Sequence, residues 1–204
     1  MAASDVAICN LSLAHLADRA NVNAITPPDG TYQAEQCARF YPIARDQLLE
    51  SFPWTFAKTR VQLVQLAITP PGQWGYTYAY PANCLRTLSL QIPGALDDNK
   101  SEKFLVEKDP TGPNRVIYCN IQEAHLRYIA ADASVGSFTP GFVVTLSWLL
   151  ASYLAGPITK SLKMKADAFK VAVAEYTKAT ALDANAEETQ VYLDHTPAWI
   201  AGRA

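Results

Sequence analysis

The hydrophobic period of this chain changes twice, and that change limits the fold more than any single motif. Up to about residue 52 the apolar side chains recur at steps of three and four. Between about residues 61 and 130 they tend to alternate, and from residue 139 the helical step returns. Steps of three and four mark one buried helix face, and a step of two marks one face of a strand. The pattern predicts an α+β fold: a mainly α-helical bundle with a small antiparallel β-sheet domain inserted into it. The expected division is a helical body (residues 1–57 and 132–182), an inserted β-domain (58–131) and an extended C-terminal arm (183–204).

The first change of period falls at Arg45-Asp46-Gln47-Leu48-Leu49-Glu50-Ser51-Phe52-Pro53-Trp54-Thr55-Phe56-Ala57. Pro53 disfavours the helical conformation at Phe52, so the helix is expected to stop there. Phe52, Trp54 and Phe56 follow as large apolar faces, each able to bury well over ~100 Å². The corner Phe52, Pro53, Trp54 and Phe56 is expected to pin the helical body to the inserted sheet. Upstream, Ser4 and Asp5 make a plausible helix start, and Ile8, Leu11 or Ser12, and His15 or Leu16 step round one face to about Asp18. Residues 21–30, with Pro27-Pro28-Asp29-Gly30, read as a loop. Thr31 can cap a second helix, in which Ala34, Cys37, Tyr41, Ala44 and Leu48 form one stripe; Pro42 should kink it or remove one backbone bond.

In the middle of the chain Val61, Leu63 and Leu66 hint at alternation, which Val64 interrupts, before the breaker Thr69-Pro70-Pro71-Gly72. Trp74, Tyr76, Tyr78 and Tyr80 share one side of an extended segment. Leu88, Leu90 and Ile92 alternate with Ser89 and Gln91, as in a half-buried strand. Residues 104–108 and 115–119 flank a loop rich in turn formers and read as a β-hairpin; residues 124–130 make one more strand. Thr139-Pro140 restarts the helix. Phe142, Leu146, Leu149 or Leu150, and Tyr153 are apolar nearly all round, which predicts a central helix. Gly156-Pro157 is expected to end it and start the next, whose face is Ile158, Leu162, Phe169, Val173, Tyr176 and Thr180, with periodicity fading from Asp183.

Composition and motifs exclude more chemistry than they suggest. The net charge of −2 lacks the basic excess of a free-standing nucleic-acid binder. The aromatic row from Trp74 to Tyr80 has no interleaved basic residue, so a sheet face packed on helices or on a neighbouring subunit is favoured over a base-stacking platform. The lysines of the last long helix read as its wet face. Cys9, Cys37, Cys84 and Cys119 form no Cys-x-x-Cys pair, and no signal-peptide pattern opens the chain, so they are expected to be reduced and mostly buried. The most apolar run, residues 142–155, is shorter than the roughly 20 residues of a membrane span. His15, His125 and His195 lack metal-ligand spacing, and no phosphate loop, nucleophile elbow or dinucleotide turn occurs. No catalytic residue, cofactor, metal or membrane partner is expected. Tyr192, Leu193, Trp199 and Ile200 are large apolar groups on an irregular segment, expected either to fold back onto the helices or to dock into another chain.

Arg45-Asp46-x-Leu48-Leu49-Glu50-x-x-Pro53-Trp54-x-Phe56-Ala57 resembles a signature of the tail tubular protein A family of short-tailed bacteriophages. Ile8-Cys9-Asn10-Leu11-x-Leu13-x-x-Leu16 is similar to that family's first helix. Trp74-x-Tyr76-x-Tyr78-x-x-Pro81-x-Asn83-Cys84-Leu85-Arg86 is similar to its lead into the sheet, and residues 138–158 to its central helix. The likeness covers about residues 4–182. It departs at Asn83, where the family more often has aspartate, and at Ala17, where a glycine often ends the first helix. The resemblance implies a structural virion protein: a ring-forming head-to-tail adaptor, usually of 12 copies, docked on the portal protein with the tail nozzle (tail tubular protein B) below. It would be assembled in the host cytoplasm and form part of the DNA ejection channel in the virion neck. Double-stranded DNA would pass without specific binding, since strong phosphate neutralisation is what makes binding tight. Tyr192, Leu193, Trp199 and Ile200 would meet the portal or a neighbouring subunit. The alternatives are another neck component, such as a stopper or head-completion protein, and a small helical enzyme or ligand-binding domain, which predicts a concave pocket within one subunit.

Overall fold

The computed structural model describes residues 4–94, 101–109 and 112–186. The arm residues Tyr192, Leu193, Trp199 and Ile200 therefore lie outside the described residues. The fold is α+β, with four helices and two small antiparallel sheets.

Helix α1 (Asp5–His15) starts as its sequence dictates, the Ser4 hydroxyl accepting the Ala7 N–H at 3.1 Å. It ends in a Schellman turn. Ala17 N–H donates to Ala14 (3.0 Å) and Asp18 N–H to Leu13 (3.1 Å), with Ala17 itself left-handed at φ 57°. Asn10 then fastens the following loop to α1, donating to the Val22 carbonyl (2.9 Å) and accepting its N–H (2.8 Å). Helix α2 (Tyr32–Ser51) is capped by Thr31, whose hydroxyl accepts the Ala34 N–H, and it runs unbroken through Pro42. Ala34, Cys37, Tyr41, Ala44 and Leu48 are all buried. Phe52 adopts φ −143°, ψ 147°, the extended conformation that Pro53 demands.

Helix α3 (Pro140–Thr159) is capped by Thr139 and is the centre of the helical core, with Phe142, Leu146, Leu150 and Leu154 fully buried. It does not stop at Gly156-Pro157. Pro157 lies inside it, and the break comes at Lys160, left-handed at φ 54°. Ser161 then caps α4 (Leu162–Ala186), its hydroxyl accepting the Met164 N–H. Sequence reasoning passed over this Ser161 cap because the Gly-Pro pair looked like the stronger breaker. At 20 residues and a mean hydropathy of 1.5, α3 reaches the length and composition of a membrane span, unlike the shorter run expected; 56% of that stretch is buried inside this fold, much of it against α1, α2 and α4.

The strands form two sheets rather than one. The first has order β1 (Lys58–Gln62), β6 (His125–Ala130), β3 (Cys84–Gln91); the second has order β2 (Tyr76–Ala79), β5 (Arg115–Cys119), β4 (Phe104–Lys108). The β4–β5 pair is the hairpin expected, in register from Phe104 against Cys119 to Lys108 against Arg115. The sheets join at both edges. Past β1 the chain crosses to β2, where Leu66 N–H donates to Thr77 (2.8 Å) and Ala79 N–H to Val64 (2.9 Å). At the other side Glu102 N–H donates to Leu90 (2.8 Å). That switch of partner explains why the alternation through Val61, Leu63 and Val64 is irregular. Between the sheets lies a second core of Leu63, Tyr78, Leu90, Ile117, Leu126 and Tyr128.

Strand β3 departs from simple alternation. Its register slips between Cys84 and Arg86 and again between Thr87 and Ser89, leaving Leu85 and Leu88 as inserted residues opposite β6. These two leucines pack on the helical core, whereas Cys84 and Leu90 pack between the sheets. Leu90 is buried as the alternation expects, but Ser89 and Gln91 are buried with it and Ile92 is exposed, so the alternation is lost after the second slip.

Candidate functional site

The aromatic corner is built from within the helical body. Trp54 is fully buried, its Nε1–H donating to the Leu48 carbonyl at 2.8 Å. Its ring meets Phe52 at 5.1 Å, Phe142 at 5.0 Å and Tyr176 at 6.3 Å, all edge-to-face. Phe56 meets Phe142 at 5.0 Å and Phe138 at 5.4 Å. These ring contacts tie the segment after α2 to α3 and α4. The sheet meets the same cluster through Leu85, Leu88 and Ile129, and Arg86 of β3 donates to the Glu50 and Ser51 carbonyls at the end of α2, 3.4 Å each.

Asp183 completes the corner from the far end of α4. Its carboxylate accepts the Thr55 N–H at 2.9 Å and the Thr55 hydroxyl at 2.8 Å, and the residue is 5% exposed. Expected to open an irregular arm, Asp183 is instead the last buried position of a helix that continues to Ala186. The readable sign was its spacing from Ala168, Ala172 and Ala179, a helical stripe obscured by the larger residues beside it.

That stripe is the main correction on α4. Of the expected face Ile158, Leu162, Phe169, Val173, Tyr176 and Thr180, Ile158 and Tyr176 pack on the helical core. Leu162, Phe169 and Val173 are instead 82%, 51% and 48% exposed, and the buried positions are Ala168, Ala172, Ala179 and Asp183. The reason is how closely the helices approach. A Cβ on Gly141 of α3 would come within 3.1 Å of the Ala179 Cβ, a distance open only to small residues. An alanine face lets two helices pack tightly against an already apolar α3, and the large residues are turned to the rim. The lysines Lys163, Lys165 and Lys170 are exposed, as read from sequence.

Beside the rim lies an open groove of about 240 Å³, lined by Gln47, Leu48, Thr145, Leu149, Phe169, Val173 and Tyr176 among others. Its lining is chiefly carbon. The Tyr176 hydroxyl donates to the Ser51 carbonyl at 3.3 Å.

The groups with chemical potential are otherwise dispersed. His15 stacks on Trp148 with centroids 3.7 Å apart, and its Nε2 lies 3.0 Å from the Ser147 hydroxyl; burial pushes its pKa below the ordinary histidine value. His125 sits on β6, and His195 lies outside the described residues. All four cysteines are buried and unbridged. The Cys9 thiol is pushed up by its hydrogen bond with Cys37 and by burial, the same bond lowers Cys37, and burial raises Cys84 and Cys119. Raised thiols are poor nucleophiles. Among the described residues no three His, Cys, Asp or Glu side chains converge as metal ligands would. Of the aromatic row, Tyr78 is buried between the sheets with its hydroxyl donating to Ile121 (2.7 Å), and Arg115 lies 4.0 Å over the Tyr80 ring. Tyr76 and Tyr80 pack on that inter-sheet core rather than on helices.

Compared with protein-family models and with curated proteins, the chain finds no match in either.

Proposed function

We propose that this chain is a non-enzymatic structural subunit, a ring-forming head-to-tail adaptor that joins a phage portal to the tail nozzle. The observation that carries the reading is the row Leu162, Phe169 and Val173 left on the rim of α4 by the chain's own packing. Monomeric proteins leave contiguous large apolar surface chiefly where something else covers it. The resemblance through the corner and the central helix supplies the kind of assembly, and a head-to-tail contact that closes gives a ring. In this reading the portal, the nozzle and sister subunits are the partners, and DNA passes through the ring without being gripped.

The test is negative-stain microscopy of the purified chain mixed with the portal protein of the same phage. The adaptor reading expects rings stacked on the portal, and ring position beside the portal separates it from a stopper or head-completion protein. A chain that stays monomeric with portal present overturns it. The groove also favours a second reading, a small apolar-ligand domain, which expects saturable binding of hydrophobic probes by a monomer.

A further inference from the structure

The sheet β1–β6–β3 turns one face into the inter-sheet core, through Leu126 and Tyr128, and the other toward the helical body, where Ile129 packs. Directly paired residues share a face, so the register fixes what stands beside Ile129. Its row runs Lys58, Ile129, Arg86; the next runs Arg60, Arg127, Ser89; the last runs Gln62, His125, Gln91. Four of these nine positions are Lys or Arg, and none is Asp or Glu.

Arg60 and Arg127 are paired directly, which sets their β-carbons about 4.5–5.5 Å apart, and like charges so placed destabilise a sheet. Lys58 stands two residues from Arg60 along β1, about 6.8 Å at the strand rise. Beside them lies an open hollow of about 330 Å³, lined among the described residues by Lys58, Thr59, Arg60 and Arg127. Each of the three cations has an interaction of its own in the fold, so what marks the hollow is the density of one sign of charge, not vacancy. Two buried polar atoms in the adjoining positions have no hydrogen-bond partner among the described residues. They are Ser89 Oγ, in a residue 8% exposed and paired with Arg127, and His125 Nδ1 in the next row. Buried polar atoms left unpaired are uncommon, and a hydroxyl and an imidazole nitrogen can each donate to an oxyanion.

The arrangement discriminates among anions. A carboxylate brings one charge and two oxygens, which a single Arg fork already engages. A phosphate group brings up to two charges and three acceptor oxygens. That is enough to meet two guanidinium forks and an ammonium together, and the forks match phosphate geometry. We infer that this face of the sheet binds a phosphate group, held between Arg60 and Arg127 with Lys58 and the Ser89 hydroxyl beside them. The site lies within one subunit and does not depend on the adaptor reading.

The test is calorimetric titration and thermal melting of the full chain at low ionic strength. The probes are sodium phosphate, sodium pyrophosphate and a short DNA duplex, against sodium chloride at matched ionic strength. Saturable binding is expected, with a rise in melting temperature beyond that in chloride. Arg60→Gln and Arg127→Gln should each weaken binding about ten- to a hundredfold, the loss of one charge-assisted contact. Arg60 is exposed, so its variant keeps the fold and carries the test should Arg127→Gln fail to fold. Lys163→Gln, at an exposed position on α4, should bind as the native chain does. A duplex that displaces pyrophosphate identifies a nucleic-acid backbone phosphate as the occupant; pyrophosphate binding that the duplex leaves untouched identifies a small free phosphate compound. The inference is overturned if no phosphate species, free or in the duplex, outperforms chloride, or if binding survives both Arg60→Gln and Lys58→Gln. Ring formation on the portal is read separately and is not decided by any of these outcomes.

Discussion

Ala17 occupies a backbone position that most residues avoid, φ 57° at the end of α1, while the two hydrogen bonds of its Schellman turn are made in full. A side-chain-bearing residue pays roughly 1–2 kcal/mol in that region, offset in part by glycine's greater freedom when unfolded. Ala17→Gly should therefore stabilise the fold by about 0.5–1 kcal/mol, seen as a rise of about 1–4 °C in melting temperature. Asn83, the other departure from the resembled family, has a local reason. Its amide donates to Asp132 at 3.0 Å while its carbonyl accepts the Tyr128 hydroxyl at 2.9 Å; an aspartate would place two carboxylates face to face. His15 gives a pH dependence whose sign follows from burial. Its folded pKa lies below the ordinary value near 6.5, so the unfolded chain takes up the proton first. The contribution is complete above about pH 6.5 and is lost as the pH falls from there toward the folded pKa. Urea midpoints measured between pH 7.5 and 5 should decline, and His15→Gln should flatten that part of the decline.

At the scale of elements, what the sequence made legible and what it hid divide mainly along one physical line. Caps and turn chemistry act on neighbouring residues, and Ser4, Thr31, Pro53 and Thr139 act where they were read, Gly156-Pro157 being the exception, carried inside α3. Which face of α4 is buried depends on how near α3 comes, and no residue of α4 states that. Hydrophobicity alone favours Phe169 and Val173 over Ala172 and Ala179, and the close approach at Gly141 reverses the choice. The bulges of β3 are hidden for the same reason, since Leu85 and Leu88 turn toward helices that lie far away in sequence. The groove is a consequence of the α4 reversal, so its lining residues were visible but their exposure was not. If tight packing sets the face, Gly141→Val should force α3 and α4 apart and cost about 1–3 kcal/mol, as overpacking typically does. Equilibrium unfolding in urea measures it. A neutral outcome would mean the helices can slide, and the account of the alanine face would fall.

For the whole molecule, Asp183, where the hydrophobic period fades, is a buried anchor of α4 rather than the start of an arm. Its carboxylate holds the Thr55 backbone and hydroxyl beside the corner, so the end of α4 is tied to the end of α2 across 128 residues of sequence. Two truncations four residues apart should then behave differently. A chain ending after Ala186 keeps both bonds and the whole of α4, and should melt within a few degrees of the full chain. A chain ending after Leu182 leaves the Thr55 N–H and hydroxyl without their carboxylate partner. Hydrogen bonds to charged groups contribute about 1.5–3 kcal/mol each, less for a shared carboxylate, so a loss of about 2–4 kcal/mol is expected. Circular dichroism melts of the two chains decide the matter. Only the longer truncation product is suited to asking what residues 187–204 contribute to assembly, because there loss of ring formation cannot be charged to a damaged corner. Equal melts would show that Asp183 is dispensable.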